Sequence, residues 1–321
     1  MEIKGYTYGY GSRKGLYRSE EGRYSQERMY ELGLNWECLA FSSYQDHYYS
    51  TEIYQDPERT PADEDLIFAI QNAHEHGVKL CLKPMVDCKD FVWRARVDFP
   101  DTDMRGGDPY WSLWFESYRK MLTRYARLAE ENGCEMLCIG CEMVGTERKE
   151  EEWRKTIEAV RKVYHGPLVY NTNHGKEMQA AWYDAIDYIG TSAYFPVADG
   201  AGATLEMMEE RWQKVKGELR AASEYWGKKI VFMEIGCRSA AGCAAMPWDF
   251  MARELPVDQD EQANFYESCI KTMKDEPWFA GFFWWDWSAV IYHSAEQAEE
   301  DRGFNIHLKK AEQVVRKYYG A

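Results

Sequence analysis

Two glutamates occupy places that a β-strand sequence does not ordinarily give them. MLCIGCE ends in Glu142 and IVFMEIG carries Glu234, each directly behind an apolar run. Strand interiors disfavour Glu, and burying an unpaired carboxylate is costly. One such residue is explained by an ion pair or an exposed edge; two at matching strand ends ask for a common cause. Paired carboxylates across a cleft can hydrolyse a glycosidic bond. One acts as acid and then base, while the other attacks the anomeric carbon or activates water. The two roles need different pKa values, which burial and neighbours can set.

Other chemistry-bearing residues compete with this pair. Glu147, five residues past Glu142, is the natural rival for the acid. It lies beyond the strand in the polar run 147–152, which is interrupted by Arg148 and Lys149 and reads as a solvated helix start. Cys134, Cys138 and Cys141 have the C-x3-C-x2-C spacing of an iron–sulfur triad. Such a cluster needs thiolates converging from a loop. On a strand, Cys134 and Cys138 share one face and Cys141 takes the other, so they do not converge. Cys138 and Cys141 also form a C-x-x-C pair, but inside a strand rather than at a helix start. His74 and His76 lie on a helix, about 200° apart around its axis, and are no metal pair. His174, after Asn173, reads as a cleft residue or, more commonly for a lone His, a loop hydrogen-bonder. Neither H-E-x-x-H nor G-x-S-x-G occurs, and no metal or organic cofactor is implied.

The elements that must position these residues follow a regular rhythm. Strand-like runs at 4–10, 36–45, 78–87, 135–142, 168–173, 188–194, 230–236 and 281–287 alternate with helical patterns. Those helices are expected at 26–32, 63–76, 113–132, 151–163, 178–184, 205–226, 259–274 and 308–318. Pro61, Asp63, Gly77 and the Asn132-Gly133 pair mark helix ends. Eight β-then-α units predict an α/β fold, the (β/α)8 TIM barrel, as a single domain over residues 1–321. A doubly wound open sheet is the alternative, but no G-x-G-x-x-G follows the first strand, and GYGSRKG at 9–15 is not that motif.

In such barrels the chemistry sits at the C-terminal strand ends. That places Asn173, Lys83 and Asp87 where a cleft should lie, each as a ligand contact or a loop salt bridge. Trp36, at the start of its strand, is expected in the core, as is Trp284 by strand alternation.

The composition narrows the ligand. The chain has 321 residues, 45% hydrophobic and 15% aromatic, with 13 Trp and 23 Tyr. Such rings fill cores and also form flat platforms for the C–H faces of sugars. The net charge of −15 argues against nucleic acid and anionic membrane surfaces. A neutral or cationic small ligand fits it better than a phosphorylated one. No apolar run approaches the roughly 18–20 residues of a membrane span. The start, MEIKGYTYGYGS, lacks the basic region and apolar core of a signal peptide. Nine cysteines, several inside apolar strands, have the habit of reduced structural thiols, so a cytoplasmic location is expected.

Strands 4 and 7 supplying one glutamate each is the pattern of the retaining (β/α)8 glycosidases of clan A. Within that clan the sequence resembles glycoside hydrolase family 113, whose members act on β-1,4-linked mannose. The matching stretches are GLNWECLAFSSYQDHYYSTEIY (33–54), KLCLKPMVDC (79–88), CIGCEM (138–143), VFMEIGCRS (231–239), DQDEQANFYES (258–268) and GFFWWDW (281–287). The resemblance implies Glu142 as acid/base, Glu234 as nucleophile and retention of anomeric configuration. It also implies that Tyr194, otherwise a core tyrosine, contacts the nucleophile, and that Trp285 floors the sugar site. Many clan members place Asn before the acid/base, against the sugar 2-hydroxyl; here Cys141 stands there. The 2-hydroxyl of mannose is axial, so a different contact is chemically reasonable.

The expectation is a retaining hydrolase of β-linked manno-oligosaccharides. The alternatives are a clan A enzyme acting on β-glucans or β-glucosides, and a non-catalytic carbohydrate-binding barrel.

Overall fold

The computed structural model describes residues 1–102, 106–251 and 254–321. Eight parallel strands close into a barrel in chain order. They are β1 (Ile3–Tyr8), β2 (Trp36–Gln45), β3 (Lys79–Cys88), β4 (Met136–Cys141), β5 (Leu168–Asn173), β6 (Tyr188–Ser192), β7 (Ile230–Glu234) and β8 (Phe279–Trp287). Around them run α1 (Glu20–Tyr30), α2 (Asp63–Glu75), α3 (Pro109–Glu131), α4 (Glu150–Arg161), α5 (Leu205–Trp226), α6 (Gln259–Met273), α7 (Ala295–Glu300) and α8 (Lys310–Tyr319). This is the (β/α)8 TIM barrel. Local signals set several helix ends. The side chains of Ser19, Thr204 and Asp258 accept from backbone N–H groups in the first turns of α1, α5 and α6. Among the described residues, no helix is long and apolar enough to cross a membrane.

The fifth unit departs from expectation. No helix forms over 178–184; the segment closes in a single 3₁₀ turn, Tyr183–Ala185. Trp182 is fully buried, stacked on Trp153 at 4.6 Å, and its indole N–H donates to the Glu147 carbonyl at 3.0 Å. These anchors fix the segment as a compact turn instead of a helix. The short α7 had no periodic signal of its own.

Packing divides the barrel into an outer layer and an inner floor. Between sheet and helices lies an aromatic-rich core that includes Trp114, Trp153, Trp182, Trp212 and Trp284. Inside the barrel, the floor is formed by Ile3, Trp36, Cys38, Cys81, Met136, Cys138, Val169, Val231, Met233 and Phe283. Trp36 and Trp284 are thus both packing residues.

Above the floor the strands lose their regularity. β2 and β3 keep one register from Trp36↔Lys79 to Gln45↔Cys88. Three other strands carry an extra residue near their C-terminal ends: β4 between Cys138 and Cys141, β7 between Phe232 and Glu234, and β8 between Trp284 and Trp287. Such bulges break the two-residue alternation and re-aim the side chains that follow.

The bulge in β4 overturns the expected cysteine faces. Ile139 packs outward and Gly140 abuts the outer rings of Tyr170 and Trp153, so Cys138 and Cys141 both point into the barrel. Cys134 precedes the strand and joins the outer layer. All nine cysteines are free and buried.

Candidate active site

Glu142 follows the last residue of β4 and sits in the left-handed region, with φ of 53°. That conformation costs a non-glycine residue about 1–2 kcal/mol, and local bonds hold it. The Glu142 N–H donates to the Asn171 carbonyl at 2.7 Å, which turns the chain off the strand and its carboxyl into the cavity. The indole N–H of Trp93 donates to Glu142 Oε2 at 3.0 Å, and an Arg94 guanidinium nitrogen lies 3.7 Å from the same oxygen. Both come from the connection after β3. Burial raises the Glu142 pKa above the ordinary carboxylate range, and the charge of Glu234 adds to it. Arg94, Trp93 and Ser192 oppose the shift without cancelling it.

Glu234 closes β7 and is solvated by the protein instead of water. Its Oε1 accepts from Lys83 Nζ at 2.5 Å, Asn171 Nδ2 at 3.0 Å and the Cys141 thiol at 3.2 Å; its Oε2 accepts from the Tyr194 hydroxyl at 3.2 Å. Burial works against its ionisation. The Lys83 charge and hydrogen bond outweigh that, with help from Arg94 and Cys141, and its pKa falls below the ordinary range. Lys83, fully buried beneath it, is held charged against its own desolvation by its ion pair with the Glu234 carboxylate. One carboxyl whose pKa is raised and one whose pKa is lowered at a single cavity is the pairing that acid-assisted displacement requires.

The cavity holds about 1400 Å³ and opens at the C-terminal end of the strands. Of the residues expected there, Tyr194, Trp285, Asn173 and Asp87 line it beside both glutamates; Lys83 does not. Lys83 is the partner of Glu234 and too deep to meet a sugar. The Asp87 carboxylate is engaged by Arg94, Ser42 and Tyr10, which hold its pKa low despite burial. Trp285 faces the cavity with the Tyr10 ring 4.8 Å away and the Lys83 ammonium 5.6 Å from its own ring. The Asn173 side-chain carbonyl has no hydrogen-bond partner among the described residues. Also among those residues, no group of three or more His, Cys, Asp or Glu side chains could hold a metal ion.

Glu147 is away from the cavity. Contrary to the reading of its run as solvated, it is buried, accepting from Tyr170 at 2.8 Å and Thr172 at 3.2 Å behind β5. Burial pushes its pKa up to about 7, which shows that a raised carboxyl alone does not mark the site.

Sequence reasoning missed Trp93, Arg94, Asn171, Trp248 and Asp286. The first two lie on an irregular connection and had no periodic signal. Asn171 was hidden inside LVYNTN, although a polar residue within a strand was a usable clue. Asp286, in FFWWDW, carried the same signal as the two glutamates: an acid at the end of an apolar strand.

The family model of Glycoside Hydrolase Family 113 matches residues 6–309. Among solved structures, a GH113 β-mannanase, AaManA from Alicyclobacillus acidocaldarius in complex with ManMIm, is 38% identical. The alignment covers 99% of this chain and 97% of that one, with a TM-score of 0.90. A GH113 β-1,4-mannanase is 33% identical over 100% of this chain and 99% of its own, and a complex of a GH113 β-1,4-mannanase is 34% identical over 100% of both; each has a TM-score of 0.91. Among curated proteins none matches the chain.

Proposed function

The chain belongs to glycoside hydrolase family 113 and is a β-mannanase-like glycoside hydrolase, and from that premise we propose that it cleaves β-1,4-mannosidic bonds by double displacement. Glu142 enters protonated and gives its proton to the glycosidic oxygen as that bond breaks. Glu234, ionised, attacks the anomeric carbon and forms a covalent glycosyl ester. Glu142, now a carboxylate, takes a proton from water, whose oxygen attacks the anomeric carbon and releases Glu234.

The electrostatics favour this cycle. Part of the upward shift of Glu142 comes from the negative charge on Glu234. Esterification removes that charge, so the Glu142 pKa falls when the residue must change from acid to base. Arg94 at 3.7 Å then stabilises its carboxylate. Tyr194, Trp285, Asn173 and Asp87 would contact or shape the site for the sugar, while Lys83 and Asn171 hold the nucleophile. The observation that carries the reading is two strand-end glutamates facing one cavity with their pKa values pushed in opposite directions.

The mannanase neighbours support manno-oligosaccharides as the substrate class. Nine free thiols support a reducing, cytoplasmic setting, and the closed barrel supports one catalytic domain over residues 1–321. Parallel incubation with mannotetraose and cellotetraose tests the sugar assignment. Cleavage of mannotetraose, at least about tenfold faster than cellotetraose, is expected. Preference for cellotetraose would move the substrate to β-glucans and leave the two carboxyls in place.

A further inference from the structure

The bulges of the barrel mouth follow a pattern. The shift in β4 precedes Glu142 and the shift in β7 delivers Glu234. The third lies in β8, where Tyr6 opposes Trp284 and Tyr8 opposes Trp287, so two residues of β8 stand against one of β1. Trp284 and Trp287 both pack outward, and the residues between them, Trp285 and Asp286, both line the cavity. Strict alternation would have turned Asp286 towards the helices.

Asp286 differs from the other acids of the cavity in what holds it. Glu234 accepts from four side chains, Glu142 from Trp93, and Asp87 from Arg94, Ser42 and Tyr10. Among the described residues, no side chain donates a hydrogen bond to the Asp286 carboxyl. Lys309, a cation whose charge reaches it, is bonded to Asp301, Ser239 and the Gly303 carbonyl. Burial pushes the pKa of Asp286 up to about 6, and the charges of Glu234 and Asp301 add to the rise. A half-buried acid with no side-chain donor, held only by its own backbone N–H, beside the nucleophile and an aromatic platform, is a site left open for hydroxyl donors.

Building on the glycosidase reading, we propose that Asp286 is a specificity-determining residue that accepts hydrogen bonds from hydroxyl groups of the sugar ring held at Trp285. A carboxylate can accept from two neighbouring hydroxyls at once, so ring configuration decides whether both bonds form. Asp286 would then select the sugar that the two glutamates act on, without taking part in bond cleavage.

The test compares wild type, Asp286→Asn and Asp286→Ala on an aryl β-mannoside and on its 2-, 3-, 4- and 6-deoxy analogues. On the parent glycoside each variant is expected to lose about 10- to 150-fold in kcat/KM, the range for one charge-assisted hydrogen bond. On at least one deoxy analogue wild type and variants should converge, because the donor is absent from the sugar. Equal losses on all analogues, or activity within about twofold of wild type on the parent, would overturn the assignment while wild-type turnover upheld the glycosidase reading. A wild type inactive on every mannoside would instead overturn that reading and this inference with it.

Discussion

The floor and the mouth of this barrel are built from the same eight strands and behave differently. The floor keeps the strand alternation except for one added residue at the start of β8, and Ile3, Trp36, Met136, Val169, Val231 and Phe283 fill it as apolar packing. The mouth slips its register on β4, β7 and β8 and gathers Glu142, Glu234, Asp286, Asp87 and Arg94 around one cavity, with Lys83 beneath it. Regular pairing sends consecutive residues to opposite faces, so it cannot turn two neighbours of one strand into the cavity together. The irregular strand ends supply that freedom. Stability is therefore expected to reside in the floor and chemistry in the mouth.

The largest effect should come from removing the mouth carboxyls. Glu234→Ala and Glu142→Ala are each expected to lower kcat/KM roughly 10³- to 10⁵-fold, with thermal unfolding within a few degrees of wild type. Near wild-type turnover in either variant, on a substrate with a poor leaving group, would remove that residue from the mechanism.

The floor should respond in the opposite way. Phe283, fully buried at its centre, is expected to cost about 3–5 kcal/mol when replaced by Ala. Urea unfolding would measure that loss, and kcat per folded molecule should stay within about twofold. A large fall in kcat with unchanged stability would erase the distinction between the two regions.

Lys83 sharpens the boundary, since it stands on the inner face directly between floor and mouth. In the proposed mechanism Glu234 acts ionised, and Lys83 keeps its pKa below the ordinary range, so activity should persist well into acid. The same depression stabilises the fold above the ordinary carboxylate pKa and is lost as pH falls through the folded value. Lys83→Met is expected to move the acidic limb of kcat/KM upward by on the order of one pH unit or more. The alkaline limb, set by deprotonation of Glu142 above its ordinary range, should move less. An unmoved acidic limb would mean that another group controls Glu234.

The smallest effect is expected at Glu147, the carboxyl outside the cavity. Glu147→Gln should leave kcat within about twofold. With its folded pKa raised from 4.5 to about 7, the wild-type residue favours the fold fully below the lower value and loses that contribution as pH rises through the upper one. The variant should therefore gain melting temperature relative to wild type between about pH 5 and about pH 8. A loss of activity would return Glu147 to the list of catalytic candidates.

How much of this was legible in the sequence depended on periodicity. β2, β5 and α5 have the boundaries that their patterns predict, and Glu142 and Glu234 stood out because acids interrupt apolar runs. The bulges were not legible, since an inserted residue is visible only as a mismatch between two strands. For that reason Cys138 and Cys141 were assigned to opposite faces, and Asp286, although an acid at the end of an apolar strand, could not be seen to share the cavity with Trp285. The depth of Lys83 was equally hidden: KLCLKP places it on the inner face, but only the position of Glu234 across the barrel makes it a partner rather than a sugar contact. The failed helix at 178–184 belongs with these, because its fate was decided by the stacking of Trp182 on Trp153 and not by local propensity.

The central claim is the division of roles between the two glutamates, and azide rescue of their Ala variants tests it most directly. With an activated aryl β-mannoside, Glu234→Ala and azide should give the α-mannosyl azide, because azide enters the space left by the nucleophile on the face opposite the leaving group. Glu142→Ala should form the covalent intermediate and give the β-mannosyl azide, since azide then replaces the water that Glu142 would have activated. The α-azide from Glu142→Ala with the β-azide from Glu234→Ala would reverse the assignment, and no azide product from either variant would contradict double displacement.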